Sequence, residues 1–101
     1  MATIIRGTTP TLIYNFDTVK TANLAAAFLT LTNDDGTVLE KTLETAAIEE
    51  KSLAWTLTQE ETLAFGKNIN AMLNYKLNDG TRGASKRTTI AIAANDKAVT
   101  I

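Results

Sequence analysis

INAMLNYKL, residues 69–77, alternates two sets of side chains without a break. Ile69, Ala71, Leu73, Tyr75 and Leu77 fall on one side of an extended chain, and Asn70, Met72, Asn74 and Lys76 on the other. Successive side chains of a strand point to opposite faces, so this spacing predicts a half-buried β-strand. The same period returns in LAWTL (53–57), with Leu53, Trp55 and Leu57 inward. In TLIYNF (11–16) the inward set is Leu12, Tyr14 and Phe16. LAAAFLTLT (24–32) is apolar on both faces and predicts a central strand covered on two sides.

The residues between these runs agree with them. TNDDGT (32–37) and LNDGT (77–81) each place Asp-Gly between strand-like segments, and those residues suit tight hairpins. They predict antiparallel pairing of 24–32 with 37–43 and of 69–77 with 84–93. TQEETLAFG (58–66) breaks the strand period. Thr58 with Glu61 three residues on has capping-box spacing, and Gly66 closes the segment. A helical turn or two is expected at 59–65, dropping Leu63 and Phe65 onto the sheet edge. In TIIRGTTPTLIYNF (3–16), Gly7 allows a bend and Pro10, lacking a backbone donor, belongs at a strand start or edge. A strand that switches partners or sheets at that bend is the expected reading. The pattern predicts one all-β domain over 1–101, a small antiparallel sandwich or barrel of about six or seven strands with one short helical turn.

Composition narrows the function classes. The 101 residues are 45% hydrophobic, enough for one modest core, and ten basic residues stand against eleven acidic ones. That balance argues against a dedicated nucleic-acid binder, and a nearly neutral chain repels its own copies only weakly. Without cysteine or histidine, the thiolate nucleophile, the cysteine zinc site and the commonest general base are missing. The start shows no secretory pattern, and no apolar run approaches the roughly 20 residues of a membrane-spanning helix.

Candidate chemistry reads mostly as structure. Asn33-Asp34-Asp35-Gly36, with Glu40 nearby, lacks the ligand spacing of a calcium loop and suits a turn. Glu49-Glu50-Lys51 and Glu60-Glu61 lie in polar contexts, and the second pair fits the first turn of a helix. Lys67, Arg82, Lys86 and Arg87 gather around the second hairpin, where charge protects a strand edge. Trp55, in phase with Leu53 and Leu57, reads as core. Ser85 and Lys86 fall on opposite faces of a strand, which leaves a nucleophilic hydroxyl without its base. No enzymatic role, cofactor or metal is expected.

With TIIRGTTPTLIYNF (3–16), LTLTNDDGTVLEK (29–41), SLAWTLTQEETLAFGKN (52–68) and YKLNDGTRGASKRTTIAI (75–92) in place, the chain resembles small phage and prophage proteins of Gram-positive bacteria encoded among tail and baseplate genes. More weakly, it is similar to the N-terminal immunoglobulin-like domain of phage baseplate upper proteins. The resemblance implies an immunoglobulin-like β-sandwich that serves as a structural subunit of a virion. Such a subunit would assemble in the bacterial host cytoplasm through contacts with other virion proteins or its own copies, without nucleic acid or membrane. Two edges are expected to carry those contacts. One is the first strand, Thr3, Ile4, Ile5 and Arg6. The other is the segment NDKAVTI (95–101), whose Ala98, Val99 and Ile101 have little obvious need within a core. Competing expectations are a host-glycan module, which requires exposed aromatics, a small enzyme or inhibitor, and a head-decoration or head–tail connector protein.

Overall fold

The strand predicted at 69–77 sits at the centre of a six-stranded sheet. A computed structural model describes residues 3–101. The strands are β1 (Thr3–Ile5), β2 (Thr11–Asn15), β3 (Leu24–Asn33), β4 (Val38–Thr42), β5 (Ala47–Glu49), β6 (Ser52–Thr56), β7 (Asn68–Leu77), β8 (Arg82–Ala84) and β9 (Thr88–Ala93), with helix α1 (Gln59–Leu63) before β7. The larger sheet runs β1-β9-β7-β3-β4, with β8 also on β7, and the smaller runs β2-β6-β5. Inward residues of both sheets share one core: Leu29, Leu31, Ile69 and Leu73 from the larger, Leu53 and Trp55 from the smaller. Leu12, Tyr14 and Phe16 face it too, only partly buried.

Most pairings are antiparallel, but β1 runs parallel to β9, so the larger sheet is mixed. The expected hairpin of 24–32 with 37–43 forms, Thr32 opposite Val38 and Phe28 opposite Thr42. The second hairpin is broken in two. Ala84 lies opposite Asn74 and Thr88 opposite Ala71, so Ser85, Lys86 and Arg87 face only Leu73 and Met72. The extra residue is a bulge. Ser85 bridges the gap: its hydroxyl accepts from the Leu73 amide at 2.9 Å, and its own amide donates to the Leu73 carbonyl at 2.8 Å.

β3 is central, but it is not covered on two sides. Its outward Phe28 is 41% exposed, because no layer packs on that face of the larger sheet. A bulge between Leu24 and Ala26 lets Leu24 and Ala27 both point inward despite their odd spacing. The apolar alanines on both faces therefore mark a phase change instead of a second buried face.

Residues 6–10 carry the chain from the larger sheet to the smaller, the expected bend. Gly7 adopts φ +82, which a side chain would oppose. Thr62 of α1, fully buried, ties this bend down: its hydroxyl accepts from the Gly7 amide at 3.0 Å and donates to the Thr8 carbonyl at 2.8 Å.

The predicted capping box is present at the start of α1. The Thr58 side chain accepts from the Glu61 amide at 3.2 Å, and the Glu61 carboxylate accepts from the Thr58 amide at 2.8 Å. Phe65 is buried, whereas Leu63 is only half-buried. Gly66 has a role besides following the helix. A Cβ there would lie 2.0 Å from the Asp34 carboxylate, so the glycine permits close approach.

The other oxygen of Glu61 meets the Lys41 ammonium at 2.5 Å, joining α1 to β4. Burial pushes the Glu61 carboxyl up, but the bonds from Lys41 and Thr58 outweigh it and hold it below its ordinary value. A carboxyl lowered in the folded state stabilises above its unfolded pKa, and that contribution disappears as pH falls through the folded one. Glu61→Gln is therefore expected to cost about 0.5–1 kcal/mol at pH 7 and nothing near pH 2, for an ion pair about four-fifths buried. Urea midpoints of both proteins at the two pH values check this; a gap that persists unchanged in acid would refute it.

Candidate interaction surface

The first of the two predicted edges lies where the larger sheet ends. Among the described residues β1 pairs only with β9, so its other side has no partner strand there. Its four candidate residues divide sharply. Thr3 and Ile5 point outward, Ile5 being 49% exposed beside Ala93. Ile4 points inward and is 4% exposed, so its side chain belongs to the core and cannot meet a partner. Arg6 is likewise committed inside the chain. Its guanidinium donates to the Phe65 carbonyl and, at 3.0 Å, to that of Gly66, which holds the turn after α1.

The second predicted edge begins next to the first. The Asn95 side chain donates to the Arg6 carbonyl at 2.8 Å, so the segment after β9 leaves from the end of β1. It then reaches α1, where the Ile101 amide donates to Gln59 Oε1 at 2.7 Å and Gln59 Nε2 donates back to the Ile101 carbonyl at 3.4 Å. Ala98, Val99 and Ile101 are all exposed, Ile101 at 92%.

A third edge was not visible in the sequence. Among the described residues β4 pairs with β3 on one side and with nothing on the other. The Asn33 amide donates to the Thr37 carbonyl at 2.7 Å, and antiparallel bonding alternates from there. The amides and carbonyls of Val38, Glu40 and Thr42 accordingly turn away from β3. The Thr42 carbonyl is taken by the Trp55 indole N–H at 2.9 Å, a bond between the two sheets. Among the described residues nothing takes those of Val38 and Glu40, which are open to another strand.

The acidic turn does more than turn. Asn33 is buried; its amide group donates to the Ala64 carbonyl at 3.0 Å and its oxygen accepts from the Gly66 amide at 2.7 Å. Asp34 accepts from the Lys67 amide at 2.9 Å. Together they clamp the loop after α1 against the hairpin. Asp35 and Asp79 stand below the usual carboxylate range, held there by hydrogen bonds from Thr37 and Thr81 in exposed turns. Thr21 bonds to the carbonyls of Glu49 and Glu50, at 2.5 and 3.0 Å. Ser85 is occupied by the bulge, and Lys86 and Arg87 are exposed. Among the described residues no group of three metal-ligating side chains comes together.

Trp55 is 2% exposed and lies edge-on to Tyr14, their ring centroids 6.4 Å apart. Tyr14 and Tyr75 are inward in phase, yet both reach a shallow cleft of about 290 Å³ with Phe16, Asn15 and Asp17. Burial raises the Tyr14 phenol. Tyr75 lies over Gly83, its partner on β8, where a Cβ would be 2.3 Å from the ring. No family model, curated protein or solved structure matches this chain.

Proposed function

We propose that this chain is a non-enzymatic structural subunit of a phage virion, a tail or baseplate component that works by protein–protein assembly. The observation that carries the reading is the apolar residues at unpaired edges. Ile5 on β1, Val38 on β4, and Val99 and Ile101 in the last segment are each about half exposed or more, beside backbone groups or segments with no partner strand. Free strand edges are the usual site of strand addition between chains, with backbone bonds giving affinity and side chains specificity. Proteins normally protect such edges, so several in one small domain fit a subunit that is covered when assembled. Partners would be copies of the chain or other virion proteins. A head-decoration or connector role would use the same surfaces.

The finer fold assignment is part of this proposal. The order β9-β7-β3-β4 supports the G-F-C-C′ sheet of an immunoglobulin-like sandwich, and β2-β6-β5 its B-E-D sheet. β1 then lies beside the last strand, and α1 falls between the strands equivalent to E and F.

Light scattering over a range of concentration tests the reading. Reversible growth of mass in the intact chain, lost on truncation after Asn95, is the expected result. A second reading, a host-glycan module, is favoured by the cleft lined by Tyr14, Phe16 and Tyr75 with polar Asn15 and Asp17 at its rim. A chain that stays monomeric while a glycan raises its melting temperature, an effect lost in Tyr75→Ala, would overturn the assembly reading in favour of this one.

A further inference from the structure

The side of the molecule between β4 and α1 is open, and a groove of about 430 Å³ lies there. Leu31, Val38, Leu39 and Phe65 form its apolar walls, and Glu60 and Glu61 stand on its rim. Val38 is 55% exposed at its mouth. The free amides and carbonyls of Val38 and Glu40 run alongside. An apolar hole beside an unpaired strand is what a short extended segment needs: backbone partners on one side, and room for alternate side chains on the other.

The chain itself carries a segment whose residue spacing fits that description once extended; in the free chain it bends at Asp96, Lys97 and Val99. In an extended stretch Lys97, Val99 and Ile101 share a face. Val99 and Ile101 are exposed and apolar, and Lys97 forms no ion pair among the described residues. Its charge complements the acidic rim of the groove, where Glu60 also has no cationic partner among those residues. We propose that residues 97–101 of one copy add as a strand to the β4 edge of a second copy, Val99 and Ile101 entering the groove and Lys97 meeting Glu60.

The segment is held away from its own groove. The paired bonds between Gln59 and the backbone of Ile101 fix it beside α1 with its side chains outward. Knob and hole are different patches of one surface, so the contact is head-to-tail and repeats until the rotation closes a ring or continues as a fibre. A five-residue strand spans only about 17 Å, well below a standard interface, so each contact is weak and repetition has to strengthen it. This inference rests on the assembly reading and names the two halves of its contact.

Two variants at exposed positions separate those halves. Ala64→Arg puts a long cation into the groove, and Val99→Asp removes the apolar knob. Each variant alone is expected to sediment as a monomer at concentrations where the unmodified chain associates. An equimolar mixture is expected to form a dimer and nothing larger, because the intact tail of the first fits the intact groove of the second and no complementary pair is left. A mixture that stays monomeric overturns the proposal. So does an Ala64→Arg protein that associates like the unmodified chain, an outcome that leaves the assembly reading standing. If the unmodified chain is monomeric, an acetylated and amidated peptide of residues 96–101 decides. Shifts at the Val38 and Ala64 amide resonances, weakened about tenfold or more in Ala64→Arg, support the groove. Unmoved resonances sink it.

Discussion

Trp55→Ala is expected to remove roughly 3–5 kcal/mol of stability, the range for deleting a buried aromatic ring. At the usual scaling for a domain of this size, the melting temperature falls by roughly 12–40 °C. The ring is 2% exposed at the middle of the smaller sheet, flanked along β6 by the fully buried Leu53 and followed by Leu57. Its removal leaves a void that two thin layers cannot easily close. A second effect adds to the first. The indole N–H is bonded to the Thr42 carbonyl, and this is a direct polar link from β6 to β4. Trp55→Phe loses less of the core. It keeps one aromatic ring but gives up the donor together with part of the indole's volume, and because Thr42 lies at an open edge, water can take the donor's place. We expect about 1–2 kcal/mol for this variant. Urea unfolding followed by far-ultraviolet circular dichroism measures both. If alanine and phenylalanine cost the same within about 0.5 kcal/mol, the ring is not the centre of the core.

The phases of the strands were legible from residue spacing alone. Leu12, Tyr14 and Phe16, then Leu53, Trp55 and Leu57, then Ile69, Ala71 and Leu73 all face inward as their alternation requires. Local chemistry was legible too: the capping box at Thr58 and Glu61, the turn at Asn33–Gly36, and the bend at Gly7–Pro10. What could not be read depends on chain segments far apart. The parallel pairing of β1 with β9 joins the two ends of the chain, and no local pattern specifies it. The bulges at Ala25 and at 85–87 shift a ladder by one residue, and only the partner strand reveals that. Alternation also gives a direction without a depth. Tyr14 and Tyr75 point inward yet reach a cleft, because the layers part at that end.

The proposed interaction surface divides in the same way. Ala98, Val99 and Ile101 are exposed, as expected of apolar residues beyond the last strand with no core to enter. Ile4 was grouped with them by position, but its period places it opposite Ile92 and inside. Arg6 looked like an edge charge; its bonds to the carbonyls after α1 connect residues about sixty positions apart. The groove had no signal, since Leu31, Val38 and Phe65 come from three separate elements. Its existence follows from a short α1 that leaves β4 uncovered.

Thr62 is the residue whose loss should cost most for the fewest atoms changed. Thr62→Val keeps the shape and replaces the hydroxyl with a methyl group. The Gly7 amide and the Thr8 carbonyl then both lose a partner at a site where Thr62 itself is fully buried. Unpaired buried groups cost about 1–3 kcal/mol each, and since Gly7 is half-buried and Thr8 exposed, water relieves part of that, so a loss of roughly 1–3 kcal/mol is expected. Thr62→Ser keeps the hydroxyl and loses only the methyl group, and about 1 kcal/mol should go with it. The order valine worse than serine is the test, because burial alone predicts the reverse. Hydrogen exchange gives the location. The Gly7 amide should exchange much faster in the valine variant, while amides within the β3–β7 ladder should change only with global stability. A further consequence follows for the surface. Arg6 and the Asn95 contact sit beside this bend, so loosening it frees both the end of β1 and the start of the segment that carries Val99. Association should therefore weaken in Thr62→Val even at temperatures where the fold persists, and an unchanged association constant in that variant would show that the bend does not position the segment.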